Sequence, residues 1–222
     1  MKEPTDISRR RFLIGAGCAL GAGAVTCSGL GLWAARAPEI EFAQSDCGDT
    51  DGDNRILVAY ASRAGSTGEV AQAIAEVLCQ ENLAVDLRLA RDVADVSAYR
   101  AVVVGSAIYM GRWMSEAADL LEAHREALSK IRVACFTVCL TLKDDTEENR
   151  RTVSAYLDPV RERVPQVRPV DVGLFAGKLQ GDNLSALYRL IVKAMDFPEG
   201  DYRDWTSIRA WAQKLPRLLG CA

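Results

Sequence analysis

The run Ile56-Leu57-Val58-Ala59-Tyr60-Ala61, followed by Ser62-Arg63-Ala64-Gly65-Ser66-Thr67-Gly68, decides the fold of this chain. Six residues without a charge suit a strand buried on both faces, as in a parallel sheet. The small and hydroxyl residues behind it lead into a helical period of Val70, Ile74, Val77 and Leu78. Strand, Ser/Gly loop and helix N-terminus together form a cradle where backbone N–H groups and three hydroxyls can donate to an anion. A plain capped turn uses the same residues, so the rest of the chain has to discriminate.

Two more apolar runs, Ala101–Gly105 and Val133–Cys139, have the same buried character. Two other segments alternate: Val85, Leu87 and Leu89 around Asp86 and Arg88, and Val170, Val172, Leu174 and Ala176 around Asp171, Gly173 and Phe175. Alternation implies half-exposed edge strands, and Pro165 and Pro169 beside the last one agree. Helical stripes lie between them: Met114, Ala117, Leu121 and Leu128, then Val153, Tyr156, Leu157, Val160 and Val164 behind a capping pair of Asp145 and Glu148. Asp204 is expected to cap a last helix that turns Trp205, Ile208, Trp211 and Leu215 inward. Residues 55–222 therefore read as one α/β domain, a doubly wound five-stranded parallel sheet of order 2-1-3-4-5. Its ligand site lies outside the C-terminal ends of strands 1 and 3, where the winding reverses.

The loop after strand 3, Ser106-Ala107-Ile108-Tyr109-Met110-Gly111-Arg112-Trp113, is apolar and aromatic around a glycine. That composition suits the wall of a flat aromatic ligand, with Tyr109 or Trp113 able to stack. Trp113 and Met114 could equally begin the next helix and pack inside. Thr137-Val138-Cys139-Leu140-Thr141 would form a third wall. A phosphate at the first loop and a flat ring between the other two describe FMN. Competing phosphate motifs fail: there is no G-x-G-x-x-G here, and Gly173-Leu174-Phe175-Ala176-Gly177-Lys178 is one residue short of a Walker loop.

At this point the body resembles the flavodoxin family and is most similar to its menaquinone-dependent protoporphyrinogen oxidase branch. The resemblance spans residues 55–217 and rests on VVVGSAIYMGRW and on the late run FAGKL…LYRLIVKAM…GDYRDW. It implies a flavodoxin-like fold with FMN. Ser62, Ala64, Gly65, Ser66 and Thr67 would hold the phosphate. Ser106, Ala107, Ile108, Tyr109, Met110, Gly111, Arg112, Thr137, Val138 and Cys139 would flank the isoalloxazine. It also implies electron transfer from a protoporphyrinogen-like donor to a membrane quinone. Ser62-x-x-Gly65-Ser66-Thr67 departs from the family's T-x-T-G-x-T but keeps the hydroxyl. No residue is nominated as a general acid or base. The stripe Leu184, Leu187, Tyr188, Ile191 and Met195 packs in the core or faces a quinone.

The net charge of −3 conceals three regions: +3 over residues 1–37, −6 over 38–54 and zero over 55–222. A neutral body argues against nucleic acid as a partner. A single histidine excludes His-rich metal cages and argues against a Ser-His-Asp triad. Ser8-Arg9-Arg10-Arg11-Phe12-Leu13-Ile14 resembles a twin-arginine export signal, and Phe12 to Ala35 runs 24 residues without a charge. That stretch reaches about 36 Å as a helix, enough to span a bilayer. The expectation is a domain carried out folded by the twin-arginine translocase, anchored at the outer face of the cytoplasmic membrane, or periplasmic if the signal is cleaved. Residues 38–54 read as an acidic flexible linker, with Cys47 the best candidate for a free thiol or an intermolecular bond. An exported flavodoxin-like electron carrier, and a module that kept the fold without FMN, are the alternatives to an enzyme.

Overall fold

The computed structural model describes residues 42–48, 55–180 and 199–221. The signal over 1–37, most of the linker and the stripe from Leu184 to Met195 lie outside the described residues. Among the described residues no helix is long and apolar enough to cross a membrane.

The central sheet has the order β1-β3-β2-β4-β6-β7, built from β1 (Ser45–Cys47), β2 (Arg55–Ala61), β3 (Ala84–Leu89), β4 (Ala101–Tyr109), β6 (Arg132–Cys139) and β7 (Val172–Ala176). All neighbours are parallel except β1, which runs antiparallel to β3. A two-residue strand β5 (Arg112–Trp113) folds back onto β4.

Helices cover both faces. Ile56, Val58 and Tyr60 point to the side of α1 (Ser66–Gln80), α6 (Trp205–Ala212) and α7 (Leu215–Leu219). Leu57, Ala59 and Ala61 point to the side of α2 (Ser115–Ala123), α3 (Arg125–Leu128) and α5 (Asp158–Arg163). This two-sided burial is why β2 carries no charge after Arg55. Asp204 caps α6, accepting from the N–H groups of Thr206 and Ser207. The helix α4 (Glu147–Ala155) is capped by Thr146, which accepts from Asn149 N–H, and not by the pair Asp145 and Glu148. The stripe from Val153 to Val164 is split between α4 and α5, with Pro159 in the first turn of α5.

Two expectations are overturned at the β3 side. The strand over Val85–Leu89 is not an edge, because β1 covers it; residues 45–47 are part of the sheet and not a free tether. Asp86 is correspondingly buried and bonded to Arg55 and Tyr99. Nor is Cys47 a free thiol: it is disulfide-bonded to Cys79 near the end of α1. A short strand with two exposed residues buries little apolar area, so the covalent link does much of the holding. Replacing Cys47 and Cys79 together by serine is expected to lower stability by about 2–4 kcal/mol, read as a shift in the urea midpoint. Cys135 and Cys139 are free and buried, and Cys221 is free and half-buried.

Tyr60 also pins this segment. Its buried hydroxyl donates to Ala43 O at 2.8 Å, and burial pushes its pKa up to about 12. An unfolded tyrosine ionises near 10. Between pH 10 and 12 the unfolded chain loses this proton while the folded chain keeps it, so the contribution is intact below pH 10 and is lost on the way to 12. The expected loss is about 2–3 kcal/mol. Urea midpoints across that range should fall, and Tyr60→Phe should flatten the fall. Tyr99, raised to about 12 by burial and by its bond to Asp86, adds a slope of the same sign.

Candidate functional site

The first loop leaves β2 at Ala61 and closes on itself. Ser62 Oγ accepts from Gly65 N–H at 3.0 Å, and Ser62 is nearly buried. Gly65 sits at φ +88°, a left-handed conformation that a side chain resists, and it is the N-cap of α1. No side chain caps that helix, so its N-terminal N–H groups face the loop without one. Ala64, Gly65 and Ser66 are half-buried; Thr67 is fully buried. The Thr67 hydroxyl has no hydrogen-bond partner. An unsatisfied buried hydroxyl costs about 1–3 kcal/mol, so its retention calls for an explanation, of which a bound ligand is one.

The second loop is a hairpin. Ser106, Ala107, Ile108 and Tyr109 end β4, Met110 and Gly111 turn, and Arg112 and Trp113 return as β5. Met110 (φ 50°) and Gly111 (φ 74°) are both left-handed, as a two-residue hairpin turn requires. Trp113 neither stacks at the site nor starts a helix. It is buried and donates from Nε1 to Thr137 Oγ1 at 3.0 Å, and α2 begins only at Ser115. Ser106 is fully buried, donating to Ala107 O and accepting from Met114 N–H. Across the gap, the Arg63 guanidinium lies 4.3 Å from the Tyr109 ring centroid, a cation–π contact that joins the first two loops.

The third wall is the end of β6. The hydrogen-bonded register sets Ala61 beside Ser106, Ser106 beside Thr137 and Ala107 beside Val138, so the three loops leave the sheet side by side. Ser106, Thr137 and Val138 are buried at this edge of the site. Cys139 is nearly buried, its Sγ 3.3 Å from Thr141 Oγ1. Sequence reasoning placed Tyr156 in a core stripe. It is half-buried against Cys139 and stands 3.6 Å from where a Gly111 β-carbon would be. Burial raises its pKa. Glu116, in the first turn of α2, was also missed; it lines a small cavity with Ser62, Tyr60 and Arg91. Neither residue belongs to a loop motif, so only the packing reveals them.

A buried cation holds the flank. The Arg203 side chain is 2% exposed and bonds Asp201 through Nε and Nη2 and Glu69 through Nη1, at 2.6–2.8 Å. Trp205 lies 4.4 Å from its centre. Glu69 belongs to the first turn of α1, and Asp201 to the ribbon of β8 (Lys178–Leu179) and β9 (Gly200–Asp201). The ribbon is thereby fastened beside the first loop.

The Flavodoxin domain family matches residues 57–206. No curated protein matches the chain significantly. Among solved structures, a flavodoxin from the domain Archaea is 16% identical, with a TM-score of 0.45, covering 75% of this chain and 99% of its own. A rubredoxin oxygen:oxidoreductase from Desulfovibrio gigas is 17% identical, with a TM-score of 0.43, covering 75% of this chain and 36% of that longer one. A flavoprotein in complex with FMN from Lactobacillus acidophilus is 17% identical, with a TM-score of 0.36, covering 55% of this chain and 93% of its own. With the family match spanning nearly all of the parallel strands, all three loops and the Arg203 clamp, the chain belongs to the flavodoxin-domain family, and its cofactor is FMN.

Proposed function

We propose that this protein is an FMN-dependent oxidoreductase that passes electrons from a protoporphyrinogen-like donor to a membrane quinone, working at the outer face of the cytoplasmic membrane. The observation that carries the flavin site is the unpartnered buried hydroxyl of Thr67 behind a left-handed Gly65, at a helix start that no side chain caps. Ser62 and residues 64–67 would hold the phosphate. Tyr109, Gly111 and the Cys139–Tyr156 corner would hold the ring. FMN, when bound, supplies the electron acceptor and donor that the side chains themselves lack. The chain positions it: the Ser62–Gly65 bond presets the loop, the Arg63–Tyr109 contact holds two loops together, and Cys139, Leu142 and Val153 keep water from the third wall.

The donor and acceptor rest on the sequence resemblance to the menaquinone-dependent branch. Export rests on the Arg9–Arg11 signal, and the Cys47–Cys79 disulfide is in keeping with an oxidising compartment. The test is the purified full chain. Oxidation of protoporphyrinogen followed by reoxidation of the flavin by menaquinone, in stopped flow, is the expected result. A yellow protein inert to both would be an electron carrier instead. A colourless protein that takes up no FMN would overturn both.

Thr67→Val gives a sharper reading of the phosphate loop. Losing one hydrogen bond to a charged group costs about 1.5–3 kcal/mol, so FMN should bind roughly 10- to 100-fold more weakly. Without FMN the same variant should be no less stable than the parent, because the hydroxyl it removes has no partner. Fluorescence titration and a urea melt measure the two halves.

A further inference from the structure

We infer that the disulfide-pinned strand β1 turns the cofactor pole of the domain toward a lipid bilayer, with the hairpin tip at Met110 as the point of contact. This rests on the proposed reading that residues 12–35 attach the protein to a membrane.

The argument begins with direction. β1 is antiparallel to β3, with Cys47 beside Val85 and Ser45 beside Leu87. Followed backward, the chain climbs toward the C-terminal ends of the parallel strands. Gln44 meets Asp92, Ala43 accepts from Tyr60, and the Phe42 ring lies 5.5 Å from the Arg91 guanidinium. Residue 42 therefore leaves the domain at the pole that carries the loops over 62–67 and 107–112. Without β1 the first fixed residue would be Arg55, at the opposite pole, where its carbonyl accepts from Arg100 N–H. The strand and its Cys47–Cys79 bond thus decide which end of the molecule the tether pulls on.

Length then decides how far the pull reaches. Six residues, 36–41, separate the uncharged stretch from Phe42. Fully extended they span about 20 Å. A body of this size is about 40 Å across. A 20 Å tether fixed at one pole does not allow the other pole to reach the same surface.

A second, independent observation lies at that pole. Among the described residues Met110 is the large apolar side chain that stands exposed, at 71%. It occupies a left-handed turn position that a non-glycine residue rarely takes. Arg112 beside it is exposed, and Arg63 lies over the neighbouring Tyr109. An apolar tip flanked by arginines suits an interface where lipid tails meet anionic headgroups. A lipid-dissolved acceptor would then enter at the rim of the flavin site without crossing water.

The experiment uses the full-length, FMN-loaded protein in phosphatidylglycerol–phosphatidylethanolamine vesicles, with Cys18, Cys27 and Cys221 changed to serine. A nitroxide is placed at Met110→Cys or, at the opposite pole, at Arg132→Cys. Collision with oxygen, which prefers lipid, is compared with collision with a water-soluble nickel chelate. The expected oxygen-to-nickel ratio is at least threefold higher at 110 than at 132. Adding Cys47→Ser with Cys79→Ser should reduce this contrast at least twofold; an unchanged contrast would overturn the role given to the disulfide. Protein that floats with vesicles but shows equal ratios overturns the orientation alone. Low ratios at both positions overturn lipid as the occupant. Protein that fails to float overturns the attachment reading, and the orientation with it.

Discussion

Gly105→Ala is expected to destabilise the fold by about 3 kcal/mol or more, at the upper end of what one added methyl costs a packed core. A β-carbon at Gly105 would stand 1.9 Å from Phe136 Cζ and 2.3 and 2.4 Å from the two Cε atoms. The ring has nowhere to go. Phe136 is fully buried, and Phe175 and Trp211 crowd it with ring centroids at 6.4 and 6.2 Å. Trp211 is itself held by a bond from Nε1 to Asp171. For a domain with about 5–15 kcal/mol in total this is a large fraction, and a fall in Tm of about 6–12 °C should follow. Thermal melts of Gly105→Ala and of the double variant Gly105→Ala, Phe136→Leu check the cause. The second change removes the ring atoms that clash, so it should restore part of the loss. A wild-type melting temperature for the single variant would refute the overlap. Because Ser106 follows directly in β4, the damage should extend to FMN affinity.

Arg55→Ala should cost about 3 kcal/mol by a different route. Asp86 is 2% exposed, and Arg55 bonds both of its oxygens, at 2.9 and 2.8 Å. Tyr99 donates to Asp86 Oδ2 at 2.6 Å. Removing the arginine leaves a buried carboxylate with one neutral partner, and breaking a buried pair in this way costs about 3–5 kcal/mol. Arg55 is itself partly exposed, so water can reach the gap, which sets the effect at the lower end. Urea denaturation of a double-mutant cycle tests this. Arg55→Ala together with Asp86→Leu should lose less than the sum of the two single variants, because the orphaned charge is gone. Strict additivity would show that the pair carries no coupling.

Much of the site was legible before any coordinates. The apolar run ending at Ala61 and the small residues after it located the loop proposed to hold the phosphate, because a two-sided strand and a helix start each leave a local signature. Tyr109 and Gly111 could be read as site material for the same reason: aromatic and glycine residues are out of place in an ordinary surface turn. Trp113 could not be resolved, since a tryptophan beside a loop looks alike whether its ring faces a ligand or finds Thr137. Tyr156 and Glu116 left no trace, because a helix stripe does not say which of its members meets a loop from another part of the chain.

The N-terminal side shows where local reading stops. Residues 42–48 belong to the acidic stretch over 38–54, which has little apolar pattern, so the sequence presents them as linker. Three backbone-paired residues, a buried Tyr60 hydroxyl and a disulfide to a helix 32 positions away hold them instead. The sequence by itself determined the doubly wound α/β class and the positions of the two principal loops, because periodicity, composition and short motifs are properties of neighbouring residues. The tertiary structure alone decided the extra strand, the Cys47–Cys79 pairing, the burial of Asp86 and Arg203, the inward turn of Trp113 and the pole from which the chain departs. Each of these depends on contacts between distant segments, whose free energy exists only once the core has brought them together.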